Sequence, residues 1–416
     1  MGNDVYIIGI GMVKFGKFLE RSIKDMAGLV VEDVLQDSDL TRDDIQAAWF
    51  SNTGWGIYSF QHSIRGQVAL TANGIHRIPV TNVENACASG STALNGAWTA
   101  VKAGLYDCAL AIGIEKQHHE DRAMVMGSFS AGTDVEEMTR TIAQLQQQEQ
   151  ERREQEAKGK GAEVQKEQAG GHSAFMDFYA AGARGHMAQY GSTQRQLATI
   201  AAKNHNNSTM NPLAQYTFPQ TVEQVLADRI VSYPLTRSMC APIGDGAAAT
   251  IICSEDFLKK HTSNRSVRIR ASVLEGGSRT GPADISERAA RKAFETAGIG
   301  PKDVNVMEVH DATAFGELAA MEALGFCPRG EGGAMAERGD TAINGKIPVN
   351  TSGGLISRGH PIGASGLAQI YELVTQLRGE AGERQVKNHR IAMTENGGGT
   401  VGAGEAALTI HILEKI

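Results

Sequence analysis

Between Val80 and Ile114 the hydrophobic period of the chain changes twice, and this stretch limits the fold more than any other. Val80–Glu84 is a short β-branched run, Gly90–Ala103 is a helical pattern built from small residues, and Cys108–Ile114 (CALAIGI) is a continuous apolar run. Continuous apolar runs of this length read as strands buried on both faces. Strand, helix and strand joined by short links imply a parallel sheet covered by helices, so the fold class is α/β. Ahead of this unit the pattern predicts a strand at Val5–Ile10, a helix over about Ile23–Asp37 and a strand at Ala47–Phe50. The C-terminal part repeats the rhythm. Strands Val267–Glu275 and Val306–Val309 flank a helix at Ser286–Thr296, and a helix at Gly363–Leu377 precedes strands Ile391–Thr394 and Glu405–Leu413. The two halves suggest an internal pseudo-repeat, although no residue-level repeat is visible.

The 416 residues, 41% of them hydrophobic, suffice for two to three domains or two fused halves. A formal charge of −7 gives no reason to expect nucleic acid or an anionic membrane as partner. Five cysteines, an odd number with no CxxC pair, argue against a disulfide framework and for a reducing cytoplasm. No basic-then-apolar leader is read at the start, and no stretch approaches the ~20 apolar residues that span a bilayer. The composition shifts at about Asp134–Gly171, a segment dominated by Gln, Glu, Lys, Arg and Ala. It reads as a solvated helical hairpin or flexible insertion, or else as a docking surface for a partner subunit.

Four short motifs carry chemistry. In Asn85-Ala86-Cys87-Ala88-Ser89-Gly90-Ser91, a thiol stands at the start of a small-residue helix. The helix dipole and free N–H groups there favour the thiolate, although a small apolar core cysteine fits the pattern equally well. Asn350-Thr351-Ser352-Gly353-Gly354 precedes Gly359-His360-Pro361-Ile362-Gly363-Ala364-Ser365-Gly366, a constrained turn from which His360 is aimed rigidly at a neighbouring nucleophile. In Glu308-Val309-His310-Asp311, His310 follows a strand and is placed to donate to a developing oxyanion, or to serve as a loop or capping histidine. Last, Glu395-Asn396-Gly397-Gly398-Gly399 sets three glycines between strands, where N–H groups point into a pocket as an oxyanion hole requires. A dinucleotide loop is excluded because a strand, not a helix, follows these glycines.

Taken in order along nearly the whole chain, these motifs resemble the thiolase superfamily, in particular the sterol-carrier-protein thiolases and the lipid-transfer thiolase homologues. Val5–Phe15, Gly113-Ile114-Glu115 and Ile243–Ala249 add to the resemblance. It implies a thiolase-like five-layer αβαβα fold of two similar halves. Residues 1–115 with 241–255 form the N-terminal half, 256–416 form the C-terminal half, and the loop domain 116–240 carries the charged insertion and covers the pantetheine arm. The resemblance implies that Cys87 is the acylated nucleophile and His360 its base. It gives the N–H groups of Cys87 and Gly397 the oxyanion hole, and His310 the polarising of the second thioester carbonyl. Coenzyme A enters as co-substrate and no cofactor is held permanently.

One departure matters. Thiolases use a second cysteine for proton transfer at the α-carbon, and this chain has Glu395 at one of its family positions and Ala312 at the other. Either Glu395 transfers the proton, as a carboxyl raised by burial is able to, or the step is handled differently. The resemblance thus implies cleavage of a 3-oxoacyl-CoA through an acyl-Cys87 intermediate. Within the superfamily the pattern is similar to the catalytic subunit of benzoylsuccinyl-CoA thiolase, which forms benzoyl-CoA and succinyl-CoA. A homodimer core and a small zinc-ribbon/OB-fold partner subunit follow as expectations. A retro-aldolase on a 3-hydroxyacyl-CoA and a non-catalytic acyl-CoA or lipid binder stand as alternatives. No cysteine has ligand-like spacing to a histidine, so no metal is expected in this chain.

Overall fold

The computed structural model describes residues 4–140, 174–261, 265–402 and 404–416. Among the described residues, nine strands form one sheet and two more form a hairpin. They are β1 (Val5–Met12), β2 (Ala47–Ser51), β3 (Val80–Val83), β4 (Cys108–Glu115), β5 (Ile230–Ser232), β6 (Leu235–Thr236), β7 (Gly246–Ser254), β8 (Val267–Gly276), β9 (Val306–Glu308), β10 (Ile391–Val401) and β11 (Gly404–Lys415). The helices that bear on the site are α1 (Ile23–Ser38), α2 (Ser89–Lys102), α3 (Ala174–Tyr190), α4 (Gln194–Ser208), α5 (Ile285–Ala297), α6 (Ala314–Ala323), α7 (Gly354–Arg358) and α8 (Ser365–Arg378).

The large sheet runs β3-β2-β4-β7-β1-β8-β11-β10-β9. Its two halves meet where β1 pairs antiparallel with β8, Tyr6 against Arg268 and Ile7 against Val267. Reading outward from that seam, the two halves match in order and sense. β2 is parallel to β4 and β9 to β10, whereas β4–β7, β7–β1, β10–β11 and β11–β8 are all antiparallel. The pseudo-repeat therefore exists in strand topology without a repeat in residues. The chain leaves the first half after β4 and returns to it with β7, which sits between β4 and β1.

Three apolar clusters define the layers. One packs α1 against Ile8, Leu110, Ile112, Ile251 and Cys253 on the outer face of the first half. A second packs α5 against Ala271, Val273, Met307, Met393 and Ile410 on the outer face of the second. The third lies between the halves, where Leu94, Ala97 and Val101 of α2 meet Leu367, Ile370 and Leu373 of α8. The order is helix, sheet, helix, sheet, helix: the five-layer αβαβα fold. The small residues of α2 have a steric purpose, because a Cβ on Gly90 would come 2.9 Å from Gly363 O and one on Gly366 2.6 Å from Ser91 N. Only glycine lets these two helix starts touch backbone to backbone, which brings the segments preceding both helices into one place.

A fourth cluster joins α3 and α4 to α6 and Ile356 of α7, laying these helices over the C-terminal half. The expectation for the charged insertion falls mostly on residues 141–171, outside the described residues; within them, Asp134 and Glu137 both pair with Arg279. One expectation needs correction. The run Gly397–Gly399 does not lie between strands but inside β10, which continues to Val401, with Gly398 opposite Ala407 of β11. The glycines are there for close approach. A Cβ on Gly398 would stand 2.2 Å from Asn85 O and 2.4 Å from Ala88 N, so the strand presses directly on the turn that carries Cys87.

Candidate active site

The three histidine- and cysteine-bearing segments converge. Cys87 Sγ, His310 and His360 place their polar atoms within 4.8 Å of one another. Cys87 stands on a tight turn: Ala86 holds a left-handed conformation at φ 46°, and its N–H is accepted by Glu84 Oε1 at 2.6 Å. Such a conformation in a residue with a Cβ costs on the order of 1–3 kcal/mol and is found where function demands it.

His360 Nε2 lies 3.2 Å from Cys87 Sγ. Its Nδ1 lies 2.7 Å from Ser365 Oγ, and that hydroxyl donates its only hydrogen to Pro361 O at 2.9 Å. Ser365 must therefore accept from Nδ1–H, so the lone pair of His360 sits on Nε2 and faces the thiol. Burial, and then the neighbouring His310 and Arg358, holds the His360 imidazole well below its ordinary value. Burial pushes the Cys87 thiol up to about 12, helped by the Glu115 carboxylate and opposed by N–H contacts from Cys87 itself and Gly399. The expected thiolate is thus not the resting form, because desolvation outweighs the helix dipole at this site. The resting pair is a neutral thiol facing a neutral imidazole, ready to pass its proton as sulfur attacks.

His310 carries the opposite tautomer. Asn396 Nδ2 donates to His310 Nδ1 at 2.9 Å, and Asn396 is oriented by the Ser91 hydroxyl, 2.7 Å from its Oδ1. The proton therefore sits on Nε2, and His310 is a neutral donor, its pKa held down to about 4 by burial and then by Arg358. The two imidazoles stand edge to face with centroids 5.2 Å apart, one an acceptor and the other a donor. That division of labour is what nucleophilic attack on a carbonyl needs: a base for the thiol and a donor for the oxyanion.

The fourth motif divides. Gly397 lines the cavity, and the N–H that reaches Cys87 Sγ is that of Gly399. Glu395 is placed otherwise than expected for a proton-transfer group, since it forms no part of the cavity wall. β9 ends at Glu308, and the His310 N–H beyond it finds its acceptor in Glu395 Oε2 at 2.9 Å. Burial holds that carboxyl up at about 7, but it stands behind His310, where its geometry supports the histidine. The carboxylates that do line the cavity are those of Glu84, Glu120 and Glu405, the last of which sequence reasoning placed only as the start of a strand. Ser365 and Asn396 were visible within the motifs, five residues after His360 and one after Glu395, but their bonds needed the fold. Tyr179 offered no signal at all; α3 brings it to the cavity, where burial and then the Glu405 carboxylate push its phenol well above the ordinary range.

The cavity measures about 1020 Å³. Phe129, Phe175, Phe178 and Tyr179 contribute an aromatic wall, whereas Lys17, Arg122, Arg229 and Arg237 line it with cations that are exposed to solvent. Guanidinium and ammonium groups in that position suit the phosphates of a nucleotide-bearing ligand. Among the described residues no helix is long and apolar enough to cross a membrane.

A thiol facing an unprotonated imidazole nitrogen, set between the halves of an αβαβα core, is an arrangement suited to acyl transfer. Residues 5–224 match the thiolase N-terminal domain and residues 280–414 the thiolase C-terminal domain-like family, so the chain belongs to the thiolase family. It is an acyl-CoA acyltransferase. An acetyl-CoA acetyltransferase of Methanothermobacter thermautotrophicus is 38% identical, covering 99% of this chain and 100% of the relative. Benzoylsuccinyl-CoA thiolase subunit BbsB of Thauera aromatica is 34% identical, covering 95% of this chain and 94% of the relative. The solved Ltp2-ChsH2(DUF35) aldolase shares the fold at a TM-score of 0.76 and 19% identity, covering 100% of this chain and 98% of that one.

Proposed function

We propose that this enzyme cleaves an aryl-substituted 3-oxoacyl-CoA with coenzyme A through an acyl-Cys87 intermediate, converting benzoylsuccinyl-CoA to benzoyl-CoA and succinyl-CoA. The observation that carries the covalent step is the 3.2 Å contact between Cys87 Sγ and the unprotonated Nε2 of His360. His360 takes the thiol proton as sulfur attacks the keto carbon. His310 Nε2–H and the N–H groups of the Cys87 turn and the Gly397–Gly399 strand surround the place where the oxyanion develops. The aromatic wall of Phe129, Phe175, Phe178 and Tyr179 favours an aryl acyl group, and the relative from Thauera aromatica acts by its name on benzoylsuccinyl-CoA. The exposed cations suit the phosphates of coenzyme A. The reading includes a homodimer core and, since that relative is named as a subunit, a small zinc-ribbon/OB-fold partner.

Intact-protein mass spectrometry after brief mixing with benzoyl-CoA tests the proposal on wild type and Cys87→Ala. A benzoyl adduct on the wild type alone supports it, with benzoylsuccinyl-CoA as the next substrate. Absence of an adduct with benzoyl-CoA and a wider acyl-CoA panel removes the covalent step and moves retro-aldol cleavage, which needs an acid and a base but no acylated cysteine, to the front.

A further inference from the structure

The cavity supplies a nucleophile, its base and an oxyanion donor, yet the proton at the α-carbon has no assigned carrier. Both family positions of the second cysteine hold other residues, Ala312 and Glu395, and the Glu395 carboxyl is engaged with the His310 N–H outside the cavity wall. His360 is committed to Cys87, and His310 is held with its Nδ1 on Asn396. Glu84 lines the cavity, but its carboxylate bonds the Ala86 N–H and holds the Cys87 turn.

Glu405 remains. It is the second residue of β11, pairs with Thr400 across the hairpin, and folds its side chain back over β10. A Cβ on Gly397 would come 2.9 Å from Glu405 Cγ and 3.6 Å from Oε1, so the carboxylate lies directly against the glycine that lines the oxyanion side of the cavity. Gly397 does not hold a positive φ, so the reason for glycine there is room, and the room is taken by Glu405. The carboxylate also acts electrostatically on Tyr179, which lines the same cavity.

We propose that Glu405 is the catalytic residue that moves the proton at the α-carbon, in place of the second cysteine. The inference rests on the thiolase reading above. In the cleavage direction the Cys87 sulfur–carbon bond forms as His360 takes the thiol proton and the keto π pair moves to oxygen. When the tetrahedral species collapses, the bond from the keto carbon to the α-carbon breaks and its pair stays on the α-carbon. Glu405, carrying a proton taken from water, donates it to that carbon and returns to carboxylate. In the second half, coenzyme A thiol attacks the acyl group and gives its proton to water, and departing Cys87 recovers the proton held on His360. Every group returns to its starting form.

The test separates acylation from carbon chemistry. Wild type, Glu405→Gln and Glu405→Ala are mixed with benzoyl-CoA, which labels Cys87 without touching a carbon–carbon bond. In parallel they are incubated with succinyl-CoA in D2O to read exchange of the α-hydrogens by mass. The expected result is Cys87 labelling in all three, with exchange reduced by about 10²–10⁴-fold in both variants, the range of a lost general acid–base group. Added acetate restores exchange to Glu405→Ala, which a merely structural role does not allow. Exchange at the wild-type rate in Glu405→Gln overturns the proposal while leaving acylation intact. A Glu405→Ala protein that labels but gains nothing from acetate also counts against it. Failure of the wild type itself to acylate overturns the thiolase reading instead, so the two failures are distinct.

Discussion

Arg358 Nη1 lies 3.1 Å from Glu308 Oε2 with both side chains wholly shielded from water, and each partner stands two residues before one of the two site histidines. The pair ties the segment bearing His310 to the segment bearing His360. Ser352 Oγ, 2.7 Å from Glu308 and 3.2 Å from Arg358, completes the link, and Asp311 Oδ1 accepts the Leu355 N–H at 2.6 Å beside it. The 5.2 Å spacing of the imidazoles is therefore held from behind the site.

Breaking this pair is costly, and unequally so. Glu308→Gln strands a buried guanidinium that cannot lose its charge, at about 3–5 kcal/mol. Arg358→Met leaves a carboxyl that burial already holds up at about 7, so it takes a proton and the cost is smaller. Thermal unfolding of both variants checks the order; equal losses, or a larger loss for Arg358→Met, contradict it.

Ser365→Ala removes the acceptor that fixes the His360 tautomer without touching the thiol. We expect kcat to fall by about 10–100-fold, the low end of a general-base contribution, with KM little changed. A matching rise in KM, or no change in either constant, argues that the tautomer is fixed by something other than Ser365.

The neutral resting pair has a kinetic signature. With the Cys87 thiol pushed up to about 12, each pH unit below that value costs a factor of about ten in thiolate. Iodoacetamide labelling of free enzyme at Cys87 is expected to climb with unit slope from pH 7 to pH 9. A plateau already reached near pH 6 indicates a standing thiolate–imidazolium pair instead.

Glu395 makes the fold sensitive to pH. Its carboxyl is raised from 4.5 to about 7 in the folded state, so between those values the folded protein binds the proton and the unfolded chain does not. Stability from this group is full below 4.5 and is lost as pH rises to 7. Relative to Glu395→Gln, the wild type should lose about 3 kcal/mol over that interval, at about 1.4 kcal/mol per unit, and nothing further above it. Unfolding temperatures of both proteins at pH 4.5, 7 and 8.5 decide; a constant difference contradicts the raised value.

Most of the scaffold was legible along the chain because its signals are local. The apolar run of β4, the helical period of α1 and α5, and the small residues of α2 each report on neighbours within a few positions. The motif residues Cys87, His310 and His360 were legible for a related reason, since glycine, proline and strand ends around them mark special backbone. The charge states were not. A helix start promises a lowered thiol, and only the packed cavity reveals that burial of Cys87 outweighs it. Nor was the role of Glu395 legible, because alternation along a strand does not say which N–H at the end of β9 lacks an acceptor.

The sequence by itself determined the α/β class, the doubled strand rhythm and the residue types available for acyl transfer, because hydrophobic period and backbone propensity act over short distances. Only the tertiary structure decided which nitrogen of each histidine carries its proton. It also decided that Glu405, not Glu395, faces the cavity, and that α3 brings Tyr179 to its wall. Those outcomes depend on side-chain contacts, some as near as His360 with Ser365 and others as far as His310 with Asn396, whose desolvation and hydrogen-bond direction are set by packing and leave no periodic trace in the chain.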